Sequence, residues 1–156
     1  MHAKPKSATS STRTPHAADA DADTAFRHTL RVYWEDTDAG GVVFYANYLK
    51  FFERARTEWL RSLGFSQQQM LQQDGVMFVV AETTLRCWRA ARLDDALDIT
   101  VRVLQGGRAS LRIAQQAWRA DELLAEGEIR IGCVGAASGQ DFRPCRIPAA
   151  IQDRIA

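Results

Sequence analysis

The densest group of chemically useful residues is Glu35-Asp36-Thr37-Asp38-Ala39-Gly40-Gly41, an acidic run closed by two glycines. It falls between a predicted strand and a predicted helix, which places Asp38 in a turn beside a helix start. Gly40 and Gly41 remove side chains next to it, so a ligand backbone or an acyl group could approach closely. Amides at a helix N-terminus suit a developing oxyanion. A carboxylate and free amides around one pocket are enough for acyl transfer. The same residues also read as an ordinary turn that Asp38 merely caps. Spacing leaves both readings open.

Other chemistries lack the residues they need. Of the three histidines, His2 and His16 precede the apolar body, which keeps His28 alone. Ser-His-Asp and Cys-His catalysis both require a histidine base, and zinc sites need clustered His or Cys. The three cysteines, Cys87, Cys133 and Cys145, form no CxxC pair and are too few for a disulfide scaffold. An enzyme built from this body without a cofactor would use a carboxylate as its base. The 156 residues, 46% hydrophobic and 25% charged, match one ordinary soluble domain. Twenty basic against nineteen acidic side chains argue against a nucleic-acid binder. No stretch approaches the ~18 apolar residues that span a bilayer, which excludes membrane insertion by a helix. An odd cysteine count with no apolar leader fits a reducing, cytoplasmic compartment.

The elements that must position Asp38 follow from periodicity. Residues 1–25 contain no Leu, Ile, Val, Phe, Tyr or Trp and are expected to be a disordered tail, with the folded body over 26–156. Phe26–Trp34 reads as a strand. Tyr48, Phe51, Phe52, Ala55, Trp59, Leu60 and Leu63 recur at helical spacing, with Asn47 expected to cap the helix and Gly64 to end it. Ser66 with Gln69 resembles a capping box for a short helix that stops near Gly75. All that follows reads as β. Phe78–Trp88 is rich in Val and Thr, and Leu97, Ile99, Val101 and Val103 alternate with polar residues. Turns at Gln105–Arg108 and Arg119–Glu122 lead into Ala109–Trp118 and Leu123–Val134, an antiparallel meander. A long helix with such a sheet makes the fold α+β. Within it, Cys87 is expected in the core, and Asp94 and Asp95 are expected to organise a turn. Glu53, Arg54, Arg56 and Glu58 share helical spacings and are expected to pair as ions.

Asp36-Thr37-Asp38-Ala39-Gly40-Gly41-Val42-Val43 resembles the signature of the hotdog-fold thioesterases of the 4-hydroxybenzoyl-CoA thioesterase type. The similarity continues through Phe52-Glu53-Arg54-Ala55-Arg56-Thr57-Glu58, Phe65-Ser66-Gln67-Gln68 and Ala91-Arg92-Leu93-Asp94-Asp95. It covers most of residues 27–135 and is nearest to the acyl-CoA thioesterases of the Tol–Pal envelope system. The resemblance implies an antiparallel sheet wrapped around a central helix and hydrolysis of acyl-CoA, or of the same thioester on an acyl carrier protein. It implies that Asp38 is the catalytic carboxylate and Asp36 a structural one. Gly41, Val42, Tyr45 and Met77 would contact substrate, with an oxyanion amide around Val76–Phe78. Arg108 and Ser110 would bind the coenzyme A phosphates. No metal or redox cofactor is implied, since coenzyme A is part of the substrate. The family's sites lie between subunits, so a homodimer or homotetramer is expected. Tyr45 stands where many Tol–Pal-type members carry histidine, and Trp34 where they carry a second tyrosine. Tyr45 instead matches the 4-hydroxybenzoyl-CoA branch, so no histidine role is carried over. A non-catalytic acyl-CoA-binding module of the same fold is the alternative. A hotdog dehydratase or hydratase would need a histidine beside its carboxylate and finds only His28.

Overall fold

In the computed structural model, which describes residues 25–135 and 142–155, the chain begins with strand β1, Phe26–Arg31. It passes through a 3-10 turn, Trp34–Asp36, into the long helix α1, Asn47–Ser62, and the short helix α2, Gln67–Gln73. Four long strands follow: β2 (Val76–Cys87), β3 (Ala96–Gly106), β4 (Ser110–Arg119) and β5 (Glu122–Gly135). The two-residue strand β6 (Arg143–Pro144) and helix α3 (Ala149–Ile155) close the described chain. The sheet runs β1-β3-β4-β5-β2 with every pair antiparallel, and β6 pairs with β5. The β3-β4-β5 meander is the one the turns predict.

The helix lies on the sheet because each presents one apolar face. Tyr48, Phe51, Phe52 and Ala55 of α1 are buried, three and four residues apart around the winding, and Leu60 follows two turns beyond Phe52 on the same face. Leu97, Ile99 and Val101 of β3 and Leu111 and Ile113 of β4 alternate inward to meet them in one core. Each Leu, Ile, Val or Phe side chain among them taken out of water contributes about 1.5–3 kcal/mol. The approach is tight at Gly127 of β5, where an added Cβ would lie 2.5 Å from the Thr84 carbonyl and 3.0 Å from Phe52 Cε2. A polar residue also sits in this layer. Gln115 is fully buried, donates to the Phe52 carbonyl at 3.0 Å and accepts from Arg56 Nη1 at 2.7 Å. The result is the α+β hotdog arrangement, a curled antiparallel sheet around a long helix.

Several expectations are corrected. β1 stops at Arg31 because Tyr33 and Trp34 enter the 3-10 turn, whose Asp36 N–H donates to the Tyr33 carbonyl. Asn47 does not cap α1: it is the first helical residue, Ala46 takes the cap position, and no side chain caps it. Cys87 lies on β2, as expected, but is exposed, because β2 is an edge strand. The chain does not remain β to its end, since α3 packs Ile151 into the core. Of the residues expected to pair as ions, Glu58 does so with Arg61 and Arg56 feels the charge of Glu53, while the Arg56 guanidinium also turns inward to Gln115. By contrast Ser66 caps α2, its Oγ accepting from Gln69 N–H, and Gly64 and Gly75 take the positive φ of helix ends. The expected disordered tail over 1–25 lies, apart from Ala25, outside the described residues.

Candidate active site

Asp38 sits on a tight turn whose two arms are laced by backbone hydrogen bonds. Asp38 N–H donates to the Val42 carbonyl at 2.9 Å, and Phe44 N–H to the Asp36 carbonyl at 2.9 Å. Gly41 N–H closes the turn on the Asp38 carbonyl at 3.0 Å, with Gly41 at φ +72°, a value that favours glycine. Gly40 N–H donates to Asp38 Oδ1 at 2.8 Å, and a Cβ on Gly40 would stand 3.1 Å from that oxygen. So Asp38 does cap its turn, as one reading of the sequence has it. It does so with one carboxylate oxygen only. Its Oδ2 has no hydrogen-bond partner among the described residues, and the side chain is exposed.

Asp36 has the opposite surroundings. It is 3% exposed, with Oδ2 accepting from Tyr33 N–H at 2.8 Å and Oδ1 from Asn47 Nδ2 at 3.2 Å. Behind the turn, Val43 N–H donates to the Ala91 carbonyl at 2.9 Å and Val42 bridges to Arg92. That loop is itself pinned. Ala91 N–H donates to Tyr48 Oη at 3.2 Å, and burial pushes the Tyr48 phenol above its usual range. Arg119 reaches Asp95 at 2.7 Å, Glu122 at 2.5 Å and the Ala90 carbonyl at 3.3 Å. Its hydrogen bonds to Glu122 and then Asp95 hold the guanidinium pKa above its normal value. Asp95 also accepts from Arg92 N–H, and Asp94 takes φ +68°, so this pair organises the turn before β3 as expected.

The start of α1 faces this construction. Its first bonds are i to i+3: Asn47 N–H to Phe44 O at 2.8 Å, Tyr48 to Tyr45 at 3.3 Å, and Leu49 to Ala46 at 3.1 Å. The N–H groups of Tyr45 and Ala46 have no acceptor among the described residues, at the end of the helix where the dipole favours negative charge. The Tyr45 ring is 65% exposed and meets Phe44 edge-on at 4.9 Å. Tyr33 and Trp34 are exposed on the other side of the turn. A half-free carboxylate, spare amides and an aromatic rim thus share one end of the sheet. That set can attack a thioester carbonyl, or activate water toward it, and hold the resulting oxyanion.

The remaining predicted site residues are elsewhere in the protomer. Asp38, Gly41, Val42 and Tyr45 lie at the Ala96 end of β3, whereas Arg108 follows its Gly106 end. Ten steps of about 3.3 Å separate those ends. Ser110 opposes Gly132, and Met77 opposes Val134, at the same far end. There Ile147 N–H donates to the Arg108 carbonyl at 2.8 Å, and Gln67 Oε1 accepts from Phe78 N–H at 3.3 Å. A groove of about 410 Å³ lies between α1 and β2, lined among others by Leu49, Glu53, Arg56, Val80 and Ile129, and includes none of the predicted site residues. Sequence reasoning missed Tyr48 and Arg119 as supports of the turn, and gave Asn47 the wrong partner. Their partners lie in loops far along the chain, which no local spacing reports.

Residues 32–155 match the thioesterase-like superfamily. The chain is 43% identical over 130 residues to the acyl-CoA thioesterase YbgC of Haemophilus influenzae, covering 83% of this chain and 93% of that protein. Among solved structures it is similar to a probable thioesterase from Bartonella henselae, with a TM-score of 0.75 and 30% identity over 80% of this chain and 100% of the other. The 1,4-dihydroxy-2-naphthoyl-CoA thioesterase of Synechocystis shares the fold, with a TM-score of 0.76 at 21% identity, over 84% of this chain and 95% of that one. With its motif, its curled sheet and its relatives in agreement, the chain belongs to the thioesterase-like superfamily.

Proposed function

We propose that this acyl-CoA thioesterase uses Asp38 as its catalytic carboxylate, in a site completed by a second copy of the chain. One observation carries the reading: a carboxylate with a free oxygen and two unspent helix-start amides lie on one hydrogen-bonded stretch of chain, Asp36 to Asn47. Asp38 would attack the thioester carbonyl, expelling coenzyme A thiolate and leaving a mixed anhydride that water cleaves. Alternatively it would take a proton from a water that attacks in its place. In either case the Tyr45 and Ala46 amides would receive the oxyanion. Thiolate leaves readily, so a body with His28 as its one described histidine suffices, and no metal or redox cofactor is called for. The same phosphopantetheine thioester on an acyl carrier protein is a second substrate of this chemistry. A cytoplasmic setting and service to the Tol–Pal envelope system are the further parts of the reading that the sequence resemblance supports.

The separation of the two residue groups supports the second copy. β2 is an edge strand of twelve residues. If two copies pair along it about a two-fold axis, the strands run antiparallel. The Cys87 end of one then meets the Val76 end of the other. That brings Asp38 of one protomer toward Met77, Arg108 and Ser110 of its partner.

The test is thiol release from a panel of aliphatic and aromatic acyl-CoAs, with melting temperature measured in parallel. Asp38→Asn keeps size and turn capping but removes the charge, so kcat should fall by about 10²–10⁴-fold in a folded protein. Full activity in folded D38N would remove Asp38 from the chemistry, whereas no thiol release from any acyl-CoA by the unmodified protein would favour a non-catalytic acyl-CoA-binding module. A folded but inactive Asp36→Asn beside an active D38N would mean that the other carboxylate does the chemistry.

A further inference from the structure

Asn47 begins a helix but does not serve it. Its side chain is 8% exposed and leaves α1 to donate Nδ2 to Asp36 Oδ1, eleven residues back. Asp36 is thereby fastened on three sides: to Tyr33 through Oδ2, to Phe44 through its carbonyl, and to α1 through Asn47. Asp38 is two residues along this stretch, and the Tyr45 and Ala46 amides lie between Phe44 and Asn47. Three routes thus join the carboxylate to the amides. One is the exposed turn at Gly40 and Gly41, which glycine makes permissive. The second is the backbone pairing of the two arms, Asp38 with Val42 and Phe44 with Asp36. The third is the buried Asp36–Asn47 bond, which alone ties the start of the turn through a side chain to a sixteen-residue helix packed on the core.

We propose that Asn47 is the positioning residue of the site: by holding Asp36 against the first turn of α1, it fixes the Asp38 carboxylate relative to the Tyr45 and Ala46 amides. The inference rests on the reading of Asp38 as catalytic. A thioester attacked through Asp38 must place its carbonyl oxygen on those amides at the same moment, and an error of about 1 Å can cost on the order of 10²-fold in rate. Asparagine fits the task as a neutral donor of the right reach. Leucine there would strip Asp36 Oδ1 of its donor in a buried place, and aspartate would set two carboxylates face to face. Substrate affinity should change little, since both side chains are buried beneath the turn.

Steady-state hydrolysis and melting temperature would be compared for D38N, N47L, N47D and the swapped double variant D36N/N47D. In the swap, donor and acceptor exchange places and both side-chain hydrogen bonds can re-form. The expected result is a roughly 10- to 100-fold fall in kcat for N47D and N47L, with KM within about twofold, and recovery of most of it in the swap. Wild-type kcat in folded N47D and N47L, with D38N inactive, overturns the positioning role and leaves the Asp38 reading standing. A loss that the swap does not recover also overturns it, because the defect then does not run through the Asp36 bond. If N47D fails to fold, N47L set against the swap decides in the same way. An active, folded D38N is a separate outcome and removes the Asp38 reading itself.

Discussion

Asp36 and Asp38 are the same residue type two positions apart, and the structure gives them opposite surroundings. Asp36 is enclosed with both oxygens engaged, whereas Asp38 spends one oxygen on Gly40 and presents the other. Tyr45 completes the contrast from the apolar side. Its ring is exposed, its side chain makes no hydrogen bond among the described residues, and Phe44 is its ring partner. Tyr45→His should therefore leave the melting temperature within about 2 °C, as for an ordinary exposed position. It should change the ranking of aromatic against aliphatic acyl-CoAs more than it changes kcat on the preferred one. Loss of turnover on every thioester would instead give Tyr45 a part in the chemistry. The acidic pair and its glycines were legible in the sequence because turn chemistry is local. Which of the two carboxylates is enclosed was not, since that depends on Asn47 holding Asp36 and on the loop around Ala91 reaching back across the fold.

At the scale of elements, the helical spacing of Tyr48 to Leu63 and the two-residue period of β3 were enough to specify the helix and the meander. The misread features share a cause. Asn47 has the composition of a cap, but Phe44, Tyr45 and Ala46 close the first turn with their carbonyls, which frees its side chain for Asp36. α3 is seven residues long with Ile151 and Ile155 as its apolar positions, too short for periodicity to separate it from a loop. It forms because Ile151 can enter the core and because Gln152 Nε2 donates to the Gly107 carbonyl at 3.2 Å. The spacing between α1 and the sheet depends on a residue with no side chain. At Gly127 a methyl group would press on the Thr84 carbonyl, which is backbone, and on the Phe52 ring, which is fully buried. Neither can swing away. Gly127→Ala should therefore cost about 2 kcal/mol or more and lower Tm by roughly 5 °C, read by thermal unfolding. An unchanged Tm would show that the helix shifts on the sheet at little cost.

The whole molecule poses a problem that no single element answers. The Asp38 turn and the Arg108 turn, the two parts of the proposed site, sit at opposite ends of the sheet. Beyond Phe78, whose N–H is taken by Gln67, β2 carries an exposed edge, with Val80 54% exposed and no proline to blunt it. Pairing two copies along that edge answers both facts together, and mixing inactive variants tests it. Arg108→Glu would repel the coenzyme A phosphates and depress kcat/KM, while D38N would remove the carboxylate. Neither substitution lies on the β2 edge. In a mixed dimer, Asp38 comes from the R108E protomer and Arg108 from the D38N protomer, so one of the two composite sites is wild type at both positions. Equal amounts of the variants, unfolded and refolded together, should regain about a quarter of wild-type activity at low substrate, since half the dimers are mixed and each has one intact site. Refolding each variant alone should regain none. If the mixture stays as inactive as its parents while ion-exchange chromatography resolves mixed dimers by their intermediate charge, both residue groups serve one protomer's own chemistry, and the site does not cross between copies.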